Sequence, residues 1–577
     1  MNEQSPVVVA VDIGTTSVKS LLITRRGQVV DCVTVGYPMM LPQPNMAEQD
    51  PDVILAAVKQ GIGSLMTRTD CAPERVACVA FSSAMHSLIA LDEAGRPLTG
   101  SIIWADQRSV AQAEALQASG QGLAIYERTG TPIHPMSPLP KLIWLREHRP
   151  EIAAAARHYV GIKEYVLMQL FGECVVDYSV ASATGLFNLR ELAWDREALA
   201  VAGVREDQLP QPVPVSHQLR GLSAADASAL GLSPDTPFVI GASDGVLANL
   251  GIGVLSPERV AVSIGTSSAV RTIVPEPTFD REGKLFCYAL DEGRWAIGGA
   301  SNNAGIVLRW LADQLLKDDP AIHGVAGEDP FERLLAQAEQ VQPGANGLLF
   351  LPMLTGERAP YWQADSRGVY FGLSLSHGKP HMVRAAIEGI LAQIAQIVQL
   401  MERMEVRPQE VCASGGLTRS RFICQLLSDM LGLPVIVPEV IESSGLGAAM
   451  IGFEAVGLKM QLGEDGEAPA VAAAAAASEA PAACDAAGTD ASCGVSETGL
   501  AATASSETSS TASVAPGAPA ASGAAQEVRY EPNPAHHEVY ARLLPLHARV
   551  FEGLKDTFSE VTKLQAADPS QLTGVLN

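Results

Sequence analysis

At 577 residues the chain is too long for one hydrophobic core, so two domains of ordinary size are the first expectation. Forty Lys and Arg against 64 Asp and Glu leave a formal net charge of −24, which argues against general nucleic-acid binding but not against a local nucleotide site built with a divalent cation. A composition of 47% hydrophobic and 18% charged residues without an unbroken apolar span points away from a membrane, and nine scattered Cys without CxxC pairs suggest reduced thiols in a cytoplasmic protein.

In chain order, VVVAVDI (7–13) and SLLIT (20–24) read as paired strands, with no basic leader or cleavage site to suggest a signal peptide. Between them, Asp12-Ile13-Gly14-Thr15-Thr16 is either a hairpin turn with a solvated acid or a phosphate loop. In the second case backbone amides and hydroxyls approach phosphate oxygens while Asp12 holds a metal or its water. Lys19 either adds a cation there or faces solvent. Asp50-Pro51 starts a helix over DPDVILAAVKQGIGSLM, and VACVAFSS (76–83) is a buried strand. His86, at the end of that strand, can donate to a substrate hydroxyl or be structural. Trp104-Ala105-Asp106-Gln107-Arg108 suits a polyol with an anionic end, or is a helix start with Asp106 as cap and Arg108 solvated.

PFVIGASDG (237–245) brings Asp244 to the end of a strand, where it can accept a hydroxyl proton or cap the helix VLANLG. ERVAVSIGTSSAVRTIV (258–274) then repeats the strand, Gly-Thr loop, strand pattern at Gly265-Thr266-Ser267-Ser268. The echo favours a pair of phosphate loops and suggests two related halves facing each other across a cleft. Gly415 and Gly416, in CASGGLTRS (412–420), permit close approach of a flat ligand such as adenine, or make a plain tight connection. Between Lys459 and Arg529 there is no Lys, Arg or aromatic residue, a composition expected of a disordered linker or insertion. A final helix is expected from Asn533-Pro534, with Val539, Leu543, Val550, Leu554 and Phe558 as its apolar face. Pro545 should kink or divide it, and it should pack on the second domain.

Taken together, these residues resemble the FGGY carbohydrate kinases of the actin-like ATPase superfamily. MSPLPKLIWLREH (136–148) and GVYFGLSLSHGKPHMVRAAIE (368–388) are similar to the family's two signatures, and DIGTTSVK, GASDG, SIGTSS and ASGGLTRS follow in the family's order. Within the family, SSAMHSLIALDEAGRPLTGSIIWADQRS, TGTPIHPMSPLPKLIWL, GIKEYV and GASDGVLANLG are most similar to the gluconate kinases.

The resemblance implies an α/β fold of two RNase H-like domains around a central cleft. Residues 1–245 would form the sugar-binding side and 246–460 the ATP-binding side, followed by an Ala-rich linker at 461–527 and a helical segment at 528–577. It implies ATP and Mg²⁺ as cofactors and Asp244 as catalytic base, with Asp12 and Asp244 as the carboxylates on the metal side. Gly14, Thr15, Thr16, Gly265, Thr266 and Ser267 would flank the transferring phosphoryl group, with Gly415 and Gly416 near adenine. His86, Asp106 and Arg108 would line the sugar pocket, Arg108 or Lys163 meeting the carboxylate. The expected reaction is phosphorylation of D-gluconate at its terminal hydroxyl. The alternatives are a kinase for another sugar or polyol such as xylulose, or a non-catalytic actin-like sugar sensor. Nucleic-acid and membrane partners are not expected, and a homodimer is the assembly the family implies.

Overall fold

The computed structural model describes residues 5–43, 45–323, 329–438, 442–461 and 527–566. Except at its two ends, the expected Ala-rich linker lies outside the described residues.

The first half is built on six strands: β1 (Val7–Ile13), β2 (Ser17–Thr24), β3 (Val29–Gly36), β4 (Val76–Ser83), β5 (Gln218–Leu219) and β6 (Phe238–Ser243). Their order across the sheet is β5-β6-β4-β1-β2-β3. β1 is central, antiparallel to β2 and parallel to β4, so its apolar run is covered on both faces and Asp12 falls level with Lys19 and Ser82. The second half repeats the plan with β7 (Arg259–Ile264), β8 (Ser268–Val274), β9 (Phe286–Asp291), β10 (Arg294–Ser301), β11 (Glu410–Ser414), β12 (Val435–Val437) and β13 (Val528–Tyr530). Here the order is β9-β10-β8-β7-β11-β12-β13.

In each sheet an antiparallel meander is followed by parallel strands, the RNase H-like arrangement. The repeat extends to the loops: the Gly14 amide donates to the Ser17 carbonyl at 3.0 Å, and the Gly265 amide to the Ser267 carbonyl at 2.9 Å.

Six helices matter for the site. α1 (Pro51–Thr69) starts as expected, with the Asp50 carboxylate accepting the amides of Asp52 and Val53. α2 (Pro138–His148) carries the first signature, and α3 (Asp244–Gly251) follows β6. α4 (Lys379–Arg403) is long and apolar enough to cross a membrane by composition, but 94% of its apolar window is buried inside the protein as a core helix. α5 (Ser443–Ala455) belongs to the second half yet lies on the first sheet, because Gly447 and Gly452 bring it close to Leu247 of α3 and to Ala80 and Cys78 of β4.

α6 (Pro534–Ala566) packs on α4 and on helix Arg421–Leu431, with the Asn533 side chain accepting the amides of Ala535 and His536. The helix runs on through Pro545 without dividing there. Of the expected apolar face, Phe558 is buried and Leu543, Val550 and Leu554 pack partly buried against the core, but Val539 is exposed, which corrects that position; Tyr540, Leu544, His547 and Phe551 complete the buried stripe. The register is set by a buried polar contact. Arg384 Nε donates to Glu388 Oε1 at 2.7 Å and Nη2 to the Tyr540 hydroxyl at 2.8 Å, which in turn donates to Glu388 at 2.9 Å. Arg384→Met would leave the Glu388 carboxylate buried without its counter-charge, and a loss of about 3–5 kcal/mol is expected in urea unfolding. A wild-type midpoint would show that this pair does not hold α6.

Candidate active site

Asp244 owes its position to an irregularity in β6. Pairing with β4 slips between Val239 and Ala242, and Gly241 takes the left-handed conformation at φ 66°. The strand then ends at Ser243, which stands at the helix N-cap position and exchanges a 2.8 Å hydrogen bond with Ser179. Asp244 is the first residue of α3 rather than its cap, so that expectation is corrected; its carboxylate accepts only the neighbouring Gly245 amide, at 2.6 Å. Burial, and next the charge of Asp12, push its carboxyl up to about 6, while Arg271 opposes them.

Asp244 opens into a cavity of about 260 Å³ between the two sheets. Of the residues expected at the site, Thr15, His86, Asp244 and Ser267 line it, so both glycine loops reach the same space. Trp104, Tyr288, Arg271, Arg358, Met136 and Trp362 complete much of the wall. The Trp104 indole N–H donates to the Thr15 hydroxyl at 3.0 Å, tying the first loop to the sugar-side wall.

His86 sits at φ 72° with Nδ1 2.7 Å from the Ala183 carbonyl. Burial, then the Lys141 charge, pull its pKa down to about 3. The ring is therefore neutral at physiological pH, with its proton on the nitrogen facing the carbonyl. Nε2 is left to accept from a substrate hydroxyl, the reverse of the expected direction. Lys141 of the first signature explains why the wall holds its shape. Fully buried, it donates to the carbonyls of His86 at 2.7 Å, Ile103 at 2.8 Å and Ile102 at 3.1 Å.

Three expected sugar contacts lie elsewhere. Asp106 is fully buried, accepting the Ala47 amide at 2.7 Å and the Arg108 guanidinium at 2.8 Å. Arg108 is also paired to Glu48 at 2.5 Å and lies over Trp144. Lys163 is paired to Asp177 at 2.5 Å with both side chains fully buried. These cations are already paired and none of the three lines the cavity, and a buried pair does not release one partner cheaply, so the structure does not bring them to the cavity with Asp244. Arg271 and Arg358 stand in the cavity instead. Sequence reading missed them, although a lone arginine in the apolar strand AVRTIV and another in GERAPYW were visible signals.

On the phosphate side, Asp12 accepts the hydroxyls of Ser82 at 2.6 Å and Ser444 at 2.8 Å, and Lys19 pairs with Glu442 at 2.8 Å. Gly14 and Gly265 close their loops, while Thr16 and Thr266 are exposed at the tips. Gly415, at φ 100°, lies against β7, where a Cβ would come within 2.6 Å of the Ile264 carbonyl oxygen, and Gly416 faces open space. The pair thus borders the second loop without lining the cavity. Asp12 and Asp244 fit a magnesium ion, which takes one or two protein carboxylates and fills its other positions with phosphate and water. The described residues contain no cluster of three or more His, Cys, Asp or Glu that would make an all-protein metal cage.

Residues 7–251 match the N-terminal domain, and residues 260–456 the C-terminal domain, of the FGGY family of carbohydrate kinases. Over 452 residues the chain is 47% identical to the gluconokinase of Bacillus subtilis (strain 168), covering 78% of this chain and 88% of that one. A xylulose kinase of Staphylococcus epidermidis is 30% identical over 456 residues, with the same coverages of 78% and 88%. The solved structure of a gluconate kinase from Lactobacillus acidophilus superposes with a TM-score of 0.81 at 31% identity, covering 96% of this chain and all of that one.

Proposed function

Because the chain belongs to the FGGY family of carbohydrate kinases, we propose that it transfers the γ-phosphoryl group of ATP to the terminal hydroxyl of D-gluconate, giving 6-phospho-D-gluconate. The observation that carries the reading is the cavity itself: Asp244, both glycine loops and two arginines meet in one space.

Asp244, with a carboxyl near 6, is ionised at neutral pH yet still basic enough to take a proton. It orients the 6-hydroxyl and accepts its proton as the oxygen attacks phosphorus. The amides and hydroxyls of the loops at 14–16 and 265–267 donate to the phosphate oxygens, where charge builds up. Asp12 and Asp244 would hold a magnesium ion, which would supply neutralisation of phosphate charge. His86 accepts from a sugar hydroxyl, and the Trp104 and Trp362 walls keep water from competing as acceptor.

A xylulose kinase is the second reading, favoured by the 30% identical relative. Coupled measurement of ATP consumption with D-gluconate, D-xylulose and glycerol separates the two. Gluconate is expected to give the highest kcat/KM, whereas xylulose turnover without gluconate turnover would replace the proposal.

A further inference from the structure

Among the described residues, Arg271 and Arg358 are the only Lys or Arg side chains lining the cavity, and phosphoryl transfer as derived above uses neither. Arg271 projects from β8, where it pairs with Gly298, and its guanidinium lies 3.0 Å from where a Gly245 side chain would begin. It makes no hydrogen bond within the described residues, and its one acidic neighbour is Asp244. Arg358 donates to the Ser301 carbonyl at 3.3 Å and lies over Trp104 at 5.2 Å, leaving its buried Nε without a partner. The adjacent Glu357 is already occupied by Ser301, Asn302, Asn303 and Gln393.

Tyr288 is 2% exposed, feels both guanidinium charges, and its hydroxyl also lacks a partner. Two cations and an orphaned hydroxyl in one buried space call for an anion. We assign the anion to the sugar rather than to ATP because Arg358 lies over Trp104 and the Tyr288 ring stands edge-on to His86 at 6.0 Å, both on the wall read above as the sugar side.

We propose that Arg271, Arg358 and Tyr288 bind the carboxylate of the sugar acid and select it over neutral polyols. The inference rests on the gluconate reading. One carboxylate has lone pairs enough to accept from both guanidiniums and the phenol, and such charge-assisted bonds are the strong ones.

The test compares D-gluconate with D-gluconamide, its neutral amide. Wild type should prefer gluconate by about 10- to 100-fold in kcat/KM. In Arg271→Gln and Arg358→Gln that ratio should fall about tenfold or more, mainly through KM for gluconate. Losing a charge beside Asp244 slows both acceptors alike, so the ratio carries the test rather than the rate. Should the arginine variants fail to fold, Tyr288→Phe, which preserves shape, should still lower the ratio several-fold. An unchanged ratio in the folded variants would overturn the carboxylate site while leaving the substrate reading intact. Wild type that phosphorylates xylulose but neither gluconate nor gluconamide would overturn both.

Discussion

Asp244→Asn should lower the turnover of gluconate by about 10²- to 10⁴-fold, the range a positioned general base contributes. Asparagine keeps the shape and the contact with the Gly245 amide region but cannot take the 6-hydroxyl proton. The wild-type counterpart of this loss is a pH profile: kcat/KM should fall as pH drops through about 6, where Asp244 becomes protonated.

The fold should respond in the opposite sense. An acid whose carboxyl is raised from 3.8 to about 6 in the folded state disfavours folding when ionised. That penalty is absent below the unfolded value and complete above about 6, so at pH 7.5 the Asn variant should melt higher than wild type. A variant with near-normal turnover would remove Asp244 from the chemistry. One that is inactive but also melts lower would indicate a structural role.

Gly241→Ala is expected to be the most damaging single methyl group near the site. At φ 66° an L residue is strained by about 1–2 kcal/mol. The added Cβ would also overlap the Phe81 carbonyl oxygen of β4, where overpacking costs a further ~1–3 kcal/mol. The strand can relieve the overlap only by moving away from β4, and Asp244 is three residues further along the same backbone. Urea unfolding should show the stability loss, and the folded fraction should have a reduced kcat. Gly416→Ala serves as the stability control, because nothing lies near the position its Cβ would take. A Gly241→Ala protein with wild-type midpoint and kcat would show that the bulge does not aim the base.

What could be read from the sequence divides along physical lines. β1, β4 and the start of α1 were legible because an apolar run, or an Asp-Pro cap, determines them locally. The duplicated glycine loops were legible as a repeat, and the fold repeats them at equivalent places in two sheets.

Asp244 was ambiguous on local grounds, since an acid between a strand and a helix suits a cap as well as a base. The bulge at Gly241 that moves it one residue past the cap position depends on pairing with β4, some 160 residues earlier. The pairing of the expected cations was hidden for a related reason. Nothing local says that Lys163 is consumed by Asp177, or Arg108 by Asp106 and Glu48. Conversely, Arg271 looks like any residue of an alternating strand until the second sheet is placed opposite the first. The burial of Tyr540 in place of Val539 at the start of α6 has the same origin, because the distant Arg384 and Glu388 capture the Tyr540 hydroxyl.

The central claim is that this cavity phosphorylates the terminal hydroxyl of a sugar acid. The most direct measurement is phosphorus and proton NMR of the product formed from ATP and D-gluconate. One phosphomonoester on carbon 6, formed mole for mole with ADP, is the predicted result. ADP release no faster than in the absence of sugar, or a phosphate on another carbon, would contradict it.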